Sequence, residues 1–220
     1  MADLIFVLNA GSSSLKFSAF LDGDPLRLLC AGQLDQLEGV GTRPNFVARD
    51  AAGSVVGQHN WESGTRLDHQ GAIDFLFGWA RKGPLSEHRV AAAGHRVVHG
   101  GRKFTGPVLV TTEVRAALED LIPLAPLHQP HSLRGIDAVS RHDPGLPQVA
   151  CFDTSFHRTQ PAVAQAFALP RHYAEEGVIR YGFHGSSYEY IASVLPISTR
   201  GRRPAGPSSP IWATALACVP

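Results

Sequence analysis

Cysteine is scarce in this 220-residue chain, and so is an excess of charge of either sign. The three cysteines are odd in number and far apart, which argues against a disulfide framework or a thiolate metal site and indicates a reducing cytoplasm. The 20 basic and 19 acidic residues form no block of one sign, so we expect no nucleic-acid or membrane-surface partner. No apolar run approaches the roughly 20 residues that cross a bilayer. A folded protein with a small-molecule partner is therefore expected.

Apolar residues make up 44% of the chain, enough for a substantial core, and their spacing predicts a mixed α/β fold. Six segments have the composition of strands: 4–8, 15–21, 46–49, 55–58, 90–93 and 148–152. Four segments have helical spacing or capping signals: 68–81, 112–121 with Thr112 as a cap, 132–141 with Ser132 as a cap, and 187–194 after a Ser186/Glu189 capping box.

The stretch NAGSSSLKF, residues 9–17, forms the predicted turn between the first two strands. It offers backbone N–H groups freed by the flexibility of Gly11, three hydroxyls from Ser12, Ser13 and Ser14, and the cation of Lys16, which are the groups that bind a phosphate. It has one glycine and is followed by a strand, so it is not a P-loop. Phosphate binding and an ordinary polar turn both remain open at this stage.

The stretch AAAGHRVVHGGRKF, residues 91–104, places Arg96 between His95 and His99. A guanidinium matches carboxylate and phosphate groups bidentately, so one interpretation is an anion clamp, and the other is a loop of solvated basic residues. The two histidines are four apart, as in a helical zinc pair. The nearby glycines argue against a helix, and the glutamate of that zinc motif is missing.

Three further polar residues occupy positions that suit either chemistry or local structure. His128 lies between Pro126 and Pro130, which fix the backbone on both sides. Asp153 follows an apolar strand, where α/β folds place ligand sites, but it could equally cap the next turn. His184 precedes a helix start, where the helix dipole favours anions, and it could also be a plain capping residue.

The order of five stretches along the chain resembles the acetate kinase family, which shares a nucleotide-binding fold with actin and the sugar kinases. The stretches are NAGSSSLK, GHRVVHGG, LAPLHQP, FDTSFH and RYGFHG, and the resemblance runs from Leu4 to about Leu195. Tyr188 stands where the family usually has histidine. The resemblance implies an actin-like (ribonuclease H-like) mixed-sheet domain over residues 1–147 and the start of a second, nucleotide-binding domain over 148–195.

The resemblance also implies a reaction: Mg²⁺-assisted transfer of a phosphoryl group from ATP to acetate, giving ADP and acetyl phosphate, with Mn²⁺ as a possible metal. It implies catalytic roles for Asp153, His184, His128 and Arg96, an acetate pocket formed by Val98, Leu127 and Phe183 with Arg96, phosphate contacts from Lys16, Ser12, Ser13 and Ser14, and a metal contact from Asn9. Acetate is already ionised at pH 7, so no general base is needed, and Asp153 is better suited to metal binding or positioning.

Two other functions remain open, and the family implies further properties. One alternative is a kinase for propionate or butyrate, because pocket volume cannot be read from one sequence. The other is a non-catalytic domain that binds an anion or a partner chain.

The resemblance implies a cytoplasmic homodimer for full-length members, which are roughly twice as long as this chain. We therefore expect the isolated chain to have negligible activity.

Residues 196–220 are rich in Pro, Gly, Ser and Arg and do not continue the family pattern. If each original codon is the third base of a present codon plus the first two bases of the next, the segment from Pro210 to Pro220 can encode HLGNGASLCA. HLGNGAS is the motif that the family would place next. We therefore expect this tail to result from a one-base insertion or deletion between about Leu195 and Ser198, real or a sequencing error, and to have no functional role.

Overall fold

The computed structural model describes residues 2–83 and 85–198 and shows one eight-stranded mixed sheet with helices. The strands are β1 (Asp3–Ala10), β2 (Ser14–Leu21), β3 (Arg27–Asp35), β4 (Asn45–Asp50), β5 (Val55–Asn60), β6 (Arg89–Val97), β7 (Val108–Leu109) and β8 (Gln148–Phe152). The helices are α1 (His69–Lys82), α2 (Thr112–Glu119), α3 (Gln129–His142), α4 (Ala162–Gln165), α5 (Arg171–Glu175) and α6 (Gly185–Ser198).

Strand β1 lies inside the sheet, whose strand order is β5-β4-β3-β2-β1-β6-β8-β7. The first five strands form an antiparallel meander, because short turns join consecutive strands. Strand β6 instead runs parallel to β1 after the crossover through α1. The carboxyl ends of β1 and β6 therefore meet at the same edge of the sheet.

The core lies between one face of the sheet and the helices α1 and α3. Strand β1 shows why, because Leu4, Phe6 and Leu8 alternate with residues that remain more accessible. Helix α1 is amphipathic, begins after the N-cap Asp68, and buries an apolar stripe against this face. The buried core residues of α1 and α3 are Ala72, Ile73, Leu76, Phe77, Ala80, Ala138 and Val139.

The chain separates into two compact units. The first comprises residues 1–99 and 107–151, and the second comprises residues 100–106 and the chain from residue 152 onward. The sequence-based boundary at residue 148 stays a prediction, and the expected tail lies largely outside the described residues. None of the helices in the described part of the chain has the length and apolar character needed to cross a membrane.

The strand and helix predictions are confirmed in their main elements and wrong at several boundaries. Helix α2 is capped by Thr111, whose side chain accepts from the backbone N–H of Val114, and not by Thr112. Helix α3 begins at Gln129 and encloses Ser132. It can start there because Pro130 falls in the first turn, where its missing N–H would have no partner anyway.

Three further differences follow from local chemistry. Strand β6 continues to Val97, so His95 and Arg96 lie in a strand and not in a loop. Helix α6 begins at Gly185, one residue before the predicted capping box. Strand β3 was missed because Arg27–Asp35 lacks a clean alternation of apolar and polar residues and contains a glycine.

Candidate functional site

The turn between β1 and β2, residues 11–14, is called the serine turn below. The N–H of Gly11 donates to the carbonyl oxygen of Ser14 over 2.8 Å, which closes the turn. The N–H of Leu37 donates to the carbonyl oxygen of Ser13 over 2.9 Å, which ties the turn to the segment after β3. Ser12 and Ser13 are exposed, so their hydroxyls can reach a ligand in solution.

Three polar side chains lie beside each other on neighbouring strands. Asn9 of β1 is paired directly with Lys16 of β2, so both side chains lie on the same face of the sheet. Leu8 of β1 is paired with His95 of β6, and both are buried in the core. Because side chains alternate along a strand, the next residues, Asn9 and Arg96, lie on the opposite face. Lys16, Asn9 and Arg96 therefore form a row across three strands on the face away from the core.

His95 has a structural role in the core. Its Nε2 lies 2.7 Å from Oε1 of Gln148, and the Gln148 side-chain N–H donates to Oγ of Ser140 over 2.7 Å. Because the Gln148 oxygen can only accept, His95 carries its proton on Nε2. Burial lowers the pKa of His95 to about 4, although the hydrogen bond with Gln148 opposes that shift. His95 is thus a neutral core residue at physiological pH, not an anion ligand.

Gln129, at the start of α3, fixes the backbone that follows Arg96. Its side-chain oxygen accepts from the N–H of His99 over 3.1 Å, and its side-chain N–H donates to the carbonyl oxygens of His99 and Leu118 over 3.1 and 3.2 Å. Gln129 is fully buried, so these bonds are shielded from water. These hydrogen bonds, called the Gln129 clamp below, hold Val98, which precedes His99, close to the beginning of α3.

His128 and Leu127 stand at that beginning of α3. His128 is the N-cap residue, with an exposed side chain that makes no capping hydrogen bond, so its imidazole remains available to a ligand. Leu127 is 76% exposed, an unusual position for a large apolar side chain. The first unit therefore contains nine predicted site residues: Asn9, Ser12, Ser13, Ser14, Lys16 and Arg96 at the sheet, Leu127 and His128 at the start of α3, and Val98 after β6.

The other three predicted residues, Asp153, Phe183 and His184, lie in the second unit. The N–H of Gly185 donates to the carbonyl oxygen of Asp153 over 2.7 Å. A Cβ atom at Gly185 would lie 2.4 Å from that oxygen, so only glycine allows the approach. His157 adds a second tie, because its Nε2 lies 2.9 Å from the carbonyl oxygen of Phe183. The turn carrying His184 is thus fastened to the segment after Asp153.

His184 itself has the left-handed backbone angle φ of 56°, which is rare for a residue with a side chain. Its carbonyl oxygen accepts from the N–H of Tyr188 over 3.0 Å. His184 therefore makes the first hydrogen bond of α6 and directly precedes Gly185, where the helix begins. Tyr188 stacks on Phe156, with ring centroids 6.3 Å apart. Asp153 is 2% exposed. A short 3₁₀ helix, Phe156–Thr159, follows it, and the N-cap of that helix is Ser155, not Asp153.

A metal site was predicted at Asn9. Among the described residues, no group of three or more His, Cys, Asp or Glu side chains could hold a metal ion. The oxygen-bearing side chains of Asn9 and the serine turn belong to a different class of ligand, the hard oxygens that Mg²⁺ prefers. The metal contact of Asn9 stays a prediction.

Sequence reasoning did not find two residues that support the site. Gln129 stands between His128 and Pro130 and has no spacing signal of its own. His69 falls within the predicted helix 68–81, but it also contacts the serine turn, with Nε2 2.8 Å from the carbonyl oxygen of Gly11. The Asp68 cap that precedes His69 marks the helix start, but no sequence signal links it to a turn 58 residues earlier.

Comparisons with known proteins identify the family of this chain. Residues 4–197 match the Acetokinase family. The chain is 50% identical over 199 residues to the acetate kinase of Rhodopseudomonas palustris strain CGA009, covering 89% of this chain and 48% of that protein. It is 42% identical over 213 residues to the acetate kinase of Methylocella silvestris, covering 92% and 52%. The chain thus spans about half the length of these relatives.

Solved structures give the same result at the level of the fold. The crystal structure of Porphyromonas gingivalis acetate kinase matches with a TM-score of 0.75 at 34% identity, covering 90% of this chain and 49% of that one. The crystal structure of a propionate kinase from Francisella tularensis matches with a TM-score of 0.76 at 28% identity, covering 90% and 50%. The predicted fold class, an actin-like mixed sheet with the start of a second such domain, is confirmed.

Proposed function

The chain belongs to the Acetokinase family, and we propose that the protein containing it transfers the γ-phosphoryl group of ATP to acetate, giving ADP and acetyl phosphate. One observation carries the proposal on this chain: Lys16, Asn9 and Arg96 form a row on three adjacent strands, next to the serine turn. Two cations on one sheet face, next to a turn with exposed hydroxyl groups, are suited to a substrate that is anionic at both ends.

The residues divide the work by their chemistry. Acetate is ionised at neutral pH and needs no base, so catalysis consists of alignment and charge neutralisation. The Arg96 guanidinium can bind a carboxylate or phosphoryl group through two parallel hydrogen bonds, whereas Lys16 acts as a point charge. His128 adds an imidazole donor at the N-terminus of α3, where the helix dipole also favours negative charge.

An apolar surface for the methyl group of acetate is the second part of the proposal. Val98 directly precedes His99, and Leu127 lies two residues before Gln129. The two apolar residues therefore stand on the two chain segments that the Gln129 clamp joins. Leu127 is strongly exposed, as expected of a side chain whose apolar contact is a ligand. Phe183, in the second unit, is also exposed, and its role in binding the methyl group stays a prediction.

A divalent cation fits the oxygen donors of this site. We propose that Asn9 takes part in holding Mg²⁺ or Mn²⁺, which usually keeps several waters and binds substrate phosphates as well as one or two protein groups. The bound ion would neutralise negative charge on the phosphates of ATP. Asp153 is buried next to the His184 turn, and a carboxylate in such a place suits metal binding or positioning better than proton transfer.

Propionate is the alternative substrate, favoured by the structural similarity to a propionate kinase. The two acids differ by one methylene, and an apolar pocket discriminates such a difference by only about 10–200-fold. Comparing kcat/KM for acetate and propionate decides between them. A homodimeric, cytoplasmic protein without nucleic-acid or membrane partners is part of the same proposal.

Binding of Mg²⁺–ADP and acetyl phosphate to the purified chain tests the proposal. Lys16→Met should weaken Mg²⁺–ADP binding about tenfold or more, because it removes one charge-assisted contact. Lys82→Met is the matched control, since Lys82 is an exposed lysine in the last turn of α1. Equal binding by both variants would contradict the site. Binding without phosphoryl transfer, even when the second half of a family member is supplied, would favour the non-catalytic anion-binding alternative.

A further inference from the structure

His69 is a buried histidine whose two ring nitrogens both face hydrogen-bond acceptors. Its Nε2 lies 2.8 Å from the carbonyl oxygen of Gly11 in the serine turn. Its Nδ1 lies 2.9 Å from Oε1 of Glu38. The residue is 2% exposed, so water does not replace either partner.

These partners determine how His69 connects its neighbours. A carbonyl oxygen has no proton to donate, so Nε2 of His69 must donate to Gly11. Nδ1 lies against a carboxylate oxygen of Glu38, and the same oxygen also faces the guanidinium of Arg134 at 3.6 Å. The His69 ring therefore links the carbonyl group of Gly11 to the side chain of Glu38.

The segment that carries Glu38 holds the serine turn a second time. The N–H of Leu37 donates to the carbonyl oxygen of Ser13 over 2.9 Å. Gln36 and Glu38, on either side of Leu37, have positive φ angles of 60° and 62°. Such angles are costly for residues with side chains and persist where the surroundings enforce them. The Glu38 backbone N–H is fixed by the carbonyl oxygen of Leu67 over 2.9 Å.

Further side chains surround this contact. Glu38 faces both the His69 ring and the guanidinium of Arg134. The ring of His131, on α3, lies 6.3 Å from that of His69 and is nearly parallel to it. The His69 ring is therefore held by its two polar partners and has a neighbouring ring beside it.

We propose that His69 is a positioning residue: held between Glu38 and Gly11, it fixes the carbonyl of Gly11 and keeps the serine turn in the shape that receives a phosphoryl group. This inference rests on the function proposed above for the turn. Preorganised donors cost nothing to align when the ligand arrives, which is why a rigid turn binds more tightly than a mobile one. No contact between His69 and substrate is required.

Nitrogen-15 NMR of the histidine side chains in the purified 220-residue chain tests the contact with Gly11. Nε2 of His69 should carry a proton, because the carbonyl oxygen of Gly11 can only accept. His69→Gln identifies the His69 signals by their loss. His142→Gln is the matched control and should leave these signals in place, since His142 also pairs with a carboxylate, Asp74, at 2.8 Å. An unprotonated Nε2 of His69 in the unchanged chain would overturn the proposal.

Amide hydrogen exchange tests the positioning role. His69→Gln should speed exchange of the Gly11 and Leu37 amides about tenfold, the factor expected from losing one hydrogen bond that supports the turn. His69→Gln should also weaken Mg²⁺–ADP binding about tenfold. The His142→Gln control should keep the unfolding midpoint of the parent chain. Unchanged exchange, or unchanged Mg²⁺–ADP binding where the parent chain binds it, overturns the proposal. If the parent chain binds no Mg²⁺–ADP, the proposed function fails, and the NMR and exchange results still decide whether His69 holds the turn.

Discussion

The side-chain amide of Gln129 brackets the backbone of His99, accepting from its N–H and donating to its carbonyl oxygen, both over 3.1 Å. Gln129→Met should therefore remove both of these buried hydrogen bonds and the one to the carbonyl oxygen of Leu118. Each hydrogen bond contributes about 0.5–1.5 kcal/mol, so we expect a loss of about 2 kcal/mol or more in the free energy of unfolding, measured by urea titration.

Gln33→Met is the control for this prediction. Gln33, on β3, makes one partly buried side-chain bond, to Asp35 over 2.7 Å, and its replacement should cost well under half as much. Similar losses in both variants would show that the Gln129 clamp does not hold the end of β6.

The pH dependence of stability should report the buried His95. Its pKa is lowered from 6.5 to about 4 in the fold, so between these values the unfolded chain binds a proton that the folded chain does not. Stability should therefore fall as the pH decreases from 6.5 to 4, by up to about 3 kcal/mol from this group alone. Below pH 4 both states are protonated, and the effect levels off.

His95→Gln tests this assignment, because glutamine keeps a donor for Gln148 and does not titrate. The slope of unfolding free energy against pH should flatten between pH 4 and 6.5. His99 and His131, whose pKa values are also lowered by burial, remain in the variant and leave a residual slope. His59→Gln, at an exposed histidine of β5, should leave the slope as it was. An unaltered slope in His95→Gln would contradict the buried neutral state.

Much of the fold could be predicted from the sequence where one signal dominates. Leu4–Leu8 is an apolar run followed by turn residues, and Asp68 caps a helix with apolar residues at helical spacing, so both elements were found. The predicted ends of elements were wrong where local composition and long-range pairing favour different structures. A glycine pair and basic residues suggest a loop at His95 and Arg96, but pairing with β1 extends strand β6 through both residues.

The site was predictable only as a set of candidates. Lys16 and Arg96 could be chosen as candidates from their charge. Whether they lie on the same face of the sheet depends on the register of three strands, and that register cannot be read from two residues 80 positions apart in the sequence. Gln129 and His69 escaped because their roles consist of hydrogen bonds to distant backbone atoms. Such contacts leave no local pattern in the residues that make them.

Gly185 should be irreplaceable in the second unit. Gly185→Ala places a Cβ atom 2.4 Å from the carbonyl oxygen of Asp153, so the His184 turn must move. Overpacking of this kind costs about 1–3 kcal/mol, and we expect that loss in thermal or urea unfolding. Gly106→Ala in the same unit is the control, since its Cβ meets nothing within 4 Å. Equal stability of the two variants would contradict the close contact.

The reading frame of the gene tests the prediction made for residues 196–220. Nucleotide sequencing across the codons of Leu195 to Pro220 should show that the shifted frame spells HLGNGASLCA and continues as family sequence. Early stop codons in that frame would contradict the prediction.

The central claim, that the row of Lys16, Asn9 and Arg96 takes part in phosphoryl transfer, is tested most directly with Arg96→Ala. The measurement is hydroxamate formation from acetate and ATP by a chimera in which residues 4–197 replace the matching half of Rhodopseudomonas palustris acetate kinase. Arg102→Ala is the control, because Arg102 is exposed and lies beyond the glycine pair. The account predicts that Arg96→Ala loses about 100-fold or more in kcat/KM, the scale of a removed transition-state contact, while Arg102→Ala stays within about threefold of the parent chimera. Equal losses in the two variants would contradict it.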